Sequence, residues 1–244
     1  MSDDRPLDYP YKTAGDLVDE VIARAVPNAT PDDLVSVSRD FVLRALDDAH
    51  RRIERHAPWK FAEARATRSV SSGTPEIYAP PEAATILKVF NTTTGEELEY
   101  VDLRQNMRLW ERMNYRDGTG RVRSYGEPRW YGMWTNIIYL APVPRRDMQL
   151  DLYFYRHFTP LDDEDAIPTL PSPHYDLLVD FAVGEVLLHL PPSGDRYLPQ
   201  SVAEPYFERF AHSLEQLEAS HSAKTTLDQV LWHHFVDEVE MGEW

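Results

Sequence analysis

Residues 126–144 read GEPRWYGMWTNIIYLAPVP, a short apolar run bracketed by Gly-x-Pro and Pro-x-Pro. Gly126 and Pro128 break the loop before it. Trp130–Trp134 and Ile137–Leu140 then alternate around Thr135-Asn136, which predicts a β-hairpin. Pro142-Val143-Pro144 is expected to stop strand pairing before a further strand opens at Met148. Trp130, Tyr131, Trp134 and Tyr139 admit two readings, core or cross-strand pairs on the one hand and the sugar platform of a carbohydrate-binding module on the other. Packing is favoured, because strand aromatics usually bury their faces.

The same alternating period extends on both sides of this hairpin. Ala64–Val70, Ile77–Ala79, Ile86–Asn91, Leu98–Val101 and Met148–Phe158 read as strands, separated by turn chemistry such as SSGTP, TTTGEE and DGTG. One helix, Leu103–Asn114, is expected to interrupt them.

Beyond this region the period becomes helical. Thr13–Ala25 places Leu17, Val21 and Ile22 on one face. Thr30-Pro31-Asp32-Asp33 supplies a capping hydroxyl, a first-turn proline and dipole-compatible acids, which predicts a second, long helix running to His56. On the C-terminal side, His174–Leu190 carries a broad apolar stripe and Gln200–Ser220 a second one. Thr225–Glu240 is helical in pattern. The order predicts an α+β protein: a helical bundle formed by N- and C-terminal helices with an inserted antiparallel β region. The expected parts are 1–62, N-terminal helices of the bundle; 63–169, the β insertion with one short helix; 170–222, C-terminal helices completing the bundle; and 223–244, a C-terminal arm. No 20- to 50-residue repeat and no long Gly/Ser linker divides the chain.

The 244 residues carry a formal charge of −16, spread unevenly. Residues 1–156 hold 22 Lys+Arg against 24 Asp+Glu, whereas residues 157–244 hold 3 against 17. Such an acidic surface argues against sequence-reading nucleic-acid binding, although it suits a wall that a polyanion must pass without adhering. Only four of the 25 basic residues are lysines, which fits a halophilic host and GC-rich coding equally well. Cysteine is absent, so disulfides and thiolate metal sites are excluded. The opening MSDDRPLDYPYKT lacks the pattern of a secretory signal, and no apolar run approaches the ~20 residues that span a bilayer, so a soluble, unprocessed protein without a membrane partner is expected.

Chemistry-bearing motifs are sparse. His233 and His234 with Asp237 and Glu238 bring imidazoles and carboxylates within a turn, but adjacent histidines face apart and the spacing is not HExxH; a solvated face is expected. His174, His189, His212 and His221 are scattered without a partner motif. Asp162-Asp163-Glu164-Asp165 lacks the alternation, central glycine and distal glutamate of a calcium loop and reads as a solvated connector. GxSxG, phosphate-loop and dinucleotide-binding patterns are missing. No catalytic, cofactor-binding or metal-ligating residue is assigned, and no enzymatic activity is expected. Arg104, Arg108 and Arg112 form a cationic stripe on the expected helix, with Arg116, Arg121, Arg123 and Arg129 following. A solvated face paired with Asp102 and Glu111, and docking onto an acidic surface of a neighbouring copy or partner, remain equally open. Trp232, Phe235 and Trp244 are large apolar residues at a terminus that ordinarily frays, and are expected to anchor in a partner's groove.

The succession of two helices, Trp59-Lys60-Phe61, GEPRWY with IIYLAPVP, LDLYFYRHFTPL, an acidic loop and PTLPSPHYDLLVDFAVGEVLL resembles the head-to-tail adaptor proteins of tailed bacteriophages and archaeal tailed viruses, over about residues 13–220. The N-terminal tail and the region after 220 match least. The resemblance implies a non-enzymatic virion protein of the neck, assembled in the host cytoplasm into a ring, typically of twelve copies. Such a ring docks on the portal protein and presents a surface to the downstream neck or tail protein, while double-stranded DNA passes through its lumen without sequence-specific binding. Portal docking then falls to the arm with Trp232, Phe235 and Trp244, and inter-subunit or partner contact to Arg104, Arg108, Arg112 and Arg116. A stopper or tail terminator is the alternative, disfavoured because those are shorter and mostly β.

Overall fold

The computed structural model of the chain describes residues 11–25, 38–103, 125–189 and 200–221. It is a mixed α+β structure, divided into a helical unit, residues 1–62 with 158–244, and a β unit, Glu63–His157.

In the helical unit, α1 (Ala14–Ala25) is started by Thr13, whose hydroxyl accepts from the Asp16 amide at 3.3 Å while its own amide donates to the Asp16 carboxylate at 2.9 Å. This reciprocal cap satisfies amides that the first turn leaves without intrahelical acceptors. Leu17, Val18 and Val21 are buried, with Ile22 at the margin. The second helix, α2 (Arg39–His56), begins later than the spacing predicts: Ser38 is extended and its carbonyl accepts from the Phe41 and Val42 amides, so the run from Thr30 to His56 is not one helix. Thr30 and Pro31 lie outside the described residues. At the other end Pro58 prevents continuation, Ala57 turns extended, and Trp59 folds back so that its indole N–H donates to the Ile53 carbonyl at 2.6 Å. That bond explains how a tryptophan one residue past the proline comes to be fully buried.

The helix α3 (Tyr175–His189) is buried on nearly every side, from Leu177, Leu178 and Val179 to Phe181, Ala182, Val183, Val186 and Leu187. Packing against α1, α2 and α4 (Gln200–His221) covers those sides. Phe181 meets Phe207 and Phe210 of α4, and Arg52 of α2 lies over its ring at 4.9 Å. Polar stitching sits at the margin: Arg24 of α1 bonds Asp176 at 2.8 Å, and Arg24 and Arg209 both approach Asp180. Burial nevertheless raises the Asp180 carboxyl above the usual range.

The β unit contains β1 (Glu63–Val70), β2 (Glu76–Tyr78), β3 (Ala83–Asn91), β4 (Glu99–Tyr100), β5 (Tyr125–Gly126), β6 (Trp130–Trp134), β7 (Ile137–Ala141), β8 (Val143–Pro144) and β9 (Met148–Arg156). One sheet has the order β1-β9-β3, a second β2-β7-β6-β4, and β5-β8 forms a small ladder. Met148, Leu150, Leu152 and Phe154 of β9 alternate into one core with Val70, Ile86 and Val89 of their own sheet and with Tyr131, Ile138 and Leu140 of the second. The predicted hairpin is β6-β7, turning at Thr135-Asn136, with Thr135 at φ 55°, a value that a β-branched residue adopts only under constraint. Two expectations need correction. The strands are not all antiparallel, since β4 pairs β6 and β5 pairs β8 in parallel. Val143 and Pro144 do not end pairing; they pair with Tyr125 and Gly126, a place where proline's missing donor is tolerated because the ladder is short and has two edges. Beyond Leu103, the helix expected over Leu103–Asn114 lies outside the described residues.

Two consequences for stability follow. A Cβ at Gly132 would stand 2.5 Å from Leu103 Cδ2 and 2.9 Å from the Val101 carbonyl, so Gly132→Ala is expected to destabilise the β unit by about 1–3 kcal/mol, read from thermal or urea unfolding. In the helical unit His50 is buried beside Phe158, its Nε2 accepting from the Thr169 amide at 3.2 Å and its ring also bonded to the Thr159 backbone. Burial lowers its pKa from 6.5 to about 4. Above 6.5 the ring is neutral in both folded and unfolded chains; as pH falls toward 4 only the unfolded chain takes up the proton. Stability of roughly 3 kcal/mol is therefore lost across that window, and unfolding curves of His50→Gln collected from pH 7 to 4 should show a flatter dependence.

Candidate interaction surfaces

Among the described residues no group of three or more His, Cys, Asp or Glu is placed to hold a metal, and none of the helices is long and apolar enough to cross a membrane. His233, His234, Asp237 and Glu238 lie outside the described residues. So do all seven residues that the sequence nominates for contact: Arg104, Arg108, Arg112, Arg116, Trp232, Phe235 and Trp244. What the structure does place is the framework on either side of them.

The proposed sugar platform is not one surface. Tyr131 points into the core, where burial raises its phenol well above the usual value. Trp130 and Tyr139 pack on Val101, Leu103 and Ala141, and the Trp130 indole donates to Glu99 at 3.0 Å. Trp134 alone of the four is largely exposed, at 47%.

The acidic connector does more than meet solvent. Arg39 donates from Nε to Glu164 Oε1 at 2.7 Å and from Nη2 to Oε2 at 2.9 Å, and its third nitrogen bonds Asp19. These hydrogen bonds, Glu164 first, raise the Arg39 pKa and hold the Glu164 carboxyl below its ordinary range. The backbone follows: the Ala14 amide donates to the Ala166 carbonyl at 2.8 Å and the Gly15 amide to the Glu164 carbonyl at 2.9 Å. A side chain on Gly15 would press on Glu164, with its Cβ 3.1 Å away. One two-pronged arginine thus ties the start of α2, the face of α1 and the connector together. The sequence carried only its parts, 125 residues apart.

At the end of α4 two of the four scattered histidines meet. His174 and His221 approach Nε2 to Nε2 at 3.2 Å, and Phe61 sets its ring edgewise against His221. His56 bonds Glu218 at 2.8 Å and stacks on Trp59, which stacks on Phe61. Burial, and then the neighbouring His221, lower the His174 pKa.

In the β unit a second corner is locked by short polar contacts. The Arg145 amide donates to the Gly126 carbonyl at 3.1 Å and the Gly73 amide to the Pro144 carbonyl at 2.8 Å. The Ser72 hydroxyl donates to the Arg145 carbonyl, and the Ser72 amide to Asp147, each at 2.8 Å. Gly126 is required because a Cβ there would sit 2.9 Å from Pro142. Exposed on this corner are Tyr125, Arg129, Arg145 and Arg146. Arg146 pairs with Glu127 at 2.7 Å. On the outer face of the β1-β9-β3 sheet, Asp151 accepts from Thr67 at 2.6 Å and from Arg65, bonds that lower its pKa.

Among the described residues, the polar side chains singled out above tie segments of one unit together. Residues 12–230 match the family model described as SU10 adaptor protein. The chain belongs to the SU10 adaptor protein family, and membership implies a structural adaptor of the phage virion neck, a non-enzymatic role and contact with portal and tail proteins. No curated protein matches it.

The arginine clamp is open to direct measurement. Glu164→Gln keeps the shape but removes the charge, and amide exchange at Ala14 and Gly15 should become about two- to fivefold faster while the centre of α3 is unchanged, as followed by hydrogen-exchange mass spectrometry at neutral pH.

Proposed function

We propose that this adaptor acts as a ring of about twelve copies that docks on the portal protein and joins it to the next neck or tail component, with double-stranded DNA passing through its lumen. The observation that carries this reading is the family match across residues 12–230, which takes in both compact units rather than one shared module. The helices of 1–62 and 170–222 act in it as one bundle that carries the β region of 63–169. The arm, 223–244, supplies Trp232, Phe235 and Trp244 as anchors for the portal and follows in sequence the corner where His221 is held by His174 and Phe61. Arg104, Arg108, Arg112 and Arg116 serve contacts between copies or with a partner.

Charge supports the passage of DNA. The helical unit holds 12 Lys+Arg against 29 Asp+Glu, a net charge of −17, and a lumen that draws on such a unit lets a polyanion slide instead of binding it. Identical subunits joined by a heterologous contact form a ring when the rotation closes.

Native mass spectrometry of the purified chain, alone and with its portal, tests the reading. A ring, either free or formed on the portal, is the expected result, and truncation after His221 should abolish portal capture while the fold is retained. A chain that stays monomeric and ignores the portal would remove the proposal.

A further inference from the structure

The charge of the chain divides along its two units. Against −17 for the helical unit, the β unit holds 13 Lys+Arg and 12 Asp+Glu, a net charge of +1. Part of that positive charge is left unneutralised on the surface. Arg65, Lys88 and Arg146 pair with Asp151, Glu97 and Glu127, but Arg129 and Arg145 meet no carboxylate among the described residues. Both stand exposed on the corner locked by the β5-β8 ladder, next to Tyr125, which is 54% exposed. The backbone beneath them is fixed on both sides, at Arg129 by its amide bond to the Ala141 carbonyl at 2.9 Å and at Arg145 by the bonds to Gly126 and Ser72. A solvated loop needs no such fixing. Arginine forks and a tyrosine held on rigid backbone lose little entropy on contact, which is the composition of an interface anchor.

We infer that this corner, Tyr125 with Arg129 and Arg145, is the face by which one copy grips the helical unit of the next. The inference rests on the ring reading and names the contact within it. Charge complementarity selects the occupant. On the helical unit Asp40, Asp162, Glu204, Glu208 and Glu215 are exposed, and their carboxylates pair with no cation among the described residues. Every copy brings both members of the pair, so contact between unlike units is head-to-tail and propagates around a ring. Duplex DNA fits the corner less well. Affinity for DNA comes from an excess of cations that releases counterions, whereas this unit is nearly neutral, keeps Glu127 within the corner, and is joined to a unit that repels phosphate.

The test uses the full chain, assembled alone or on its portal. A benzoyl-phenylalanine placed at position 125 is the sole photoreactive group, and mixing isotopically light and heavy copies separates links between copies from links within one. The expected product joins position 125 of one copy to residues 158–221 or 11–62 of another. Arg129→Glu with Arg145→Glu should raise the concentration needed for assembly at least about tenfold, with the wild-type effect of the corner fading as salt is raised. Arg129→Ala with Arg145→Ala, which introduces no repulsion, should give a smaller shift in the same direction. Rings that form normally with the charge-reversed corner, or links that run to the β unit of a neighbour or to portal, overturn the inference and leave the ring standing. Links to duplex DNA, with assembly unaffected by the reversal, overturn it in favour of a DNA contact. Absence of any assembly by the wild-type chain, with portal present, removes the ring and this contact with it.

Discussion

A helix that is apolar on nearly every side must be enclosed. Tyr175–His189 leaves little more than a narrow edge, with Asp176 and Asp180, to polar contacts, and burial of each large aliphatic side chain contributes about 1.5–3 kcal/mol. That energy is available only if other helices cover it. Residues after Phe158 provide α4, but α1 and α2 come from the first 56 residues, so the two ends of the chain must meet although the whole β unit intervenes in sequence. The Arg24 contact to Asp176 and the Arg39 contact to Glu164 span the same gap. Being exposed, such pairs contribute little to stability, and their geometry fixes orientation rather than supplying the driving force.

The β unit rests on a different constraint. Strand β9 is central to its sheet, and its Met148, Leu150, Leu152 and Phe154 are apolar while Gln149, Asp151 and Tyr153 face the other way. A slip of one residue would exchange Asp151 for Leu150 in the core. Register is further secured by Asp151 itself, which is buried yet satisfied by Thr67 and Arg65 on the adjacent strand. A carboxylate bonded to its cross-strand neighbours costs little in place and a great deal out of place.

Much of this was legible in the sequence, since it depends on period. Among the described residues, alternation gave seven of the nine strands and the β6-β7 turn; helical spacing gave α1, α3 and α4 to within a residue or two. The failures share a cause. The β5-β8 ladder consists of two residues a side, too short for any period, and is held by bonds to Ser72 and Gly73 that sequence does not bring together. Glu164 read as one acid in a run, because nothing local distinguishes it from Asp162 or Asp163; only the arrival of Arg39 does so. His174 and His221, 47 residues apart, likewise share no motif. For the contact residues the position is different. Arg104 to Arg116 and the aromatic tail lie outside the described residues, so their reading still rests on pattern and on family.

The local fixtures bear on how an adaptor works. A protein that couples two partners transmits position, so its contact groups must be held by backbone rather than by side-chain packing that gives under load. The β corner satisfies that demand with four short hydrogen bonds and a glycine pressed against proline. The end of α4 is held instead by side-chain rings, Trp59 stacked on Phe61 and Phe61 edgewise against His221. Those fixtures differ in what disturbs them. Bonds from backbone amides and the Ser72 hydroxyl to carbonyls are indifferent to pH, whereas a pair of imidazoles in contact tolerates one added proton but repels when both rings are charged. Burial and the neighbouring His221 accordingly favour a neutral His174, while the arginine corner keeps its charge at any pH the virion meets.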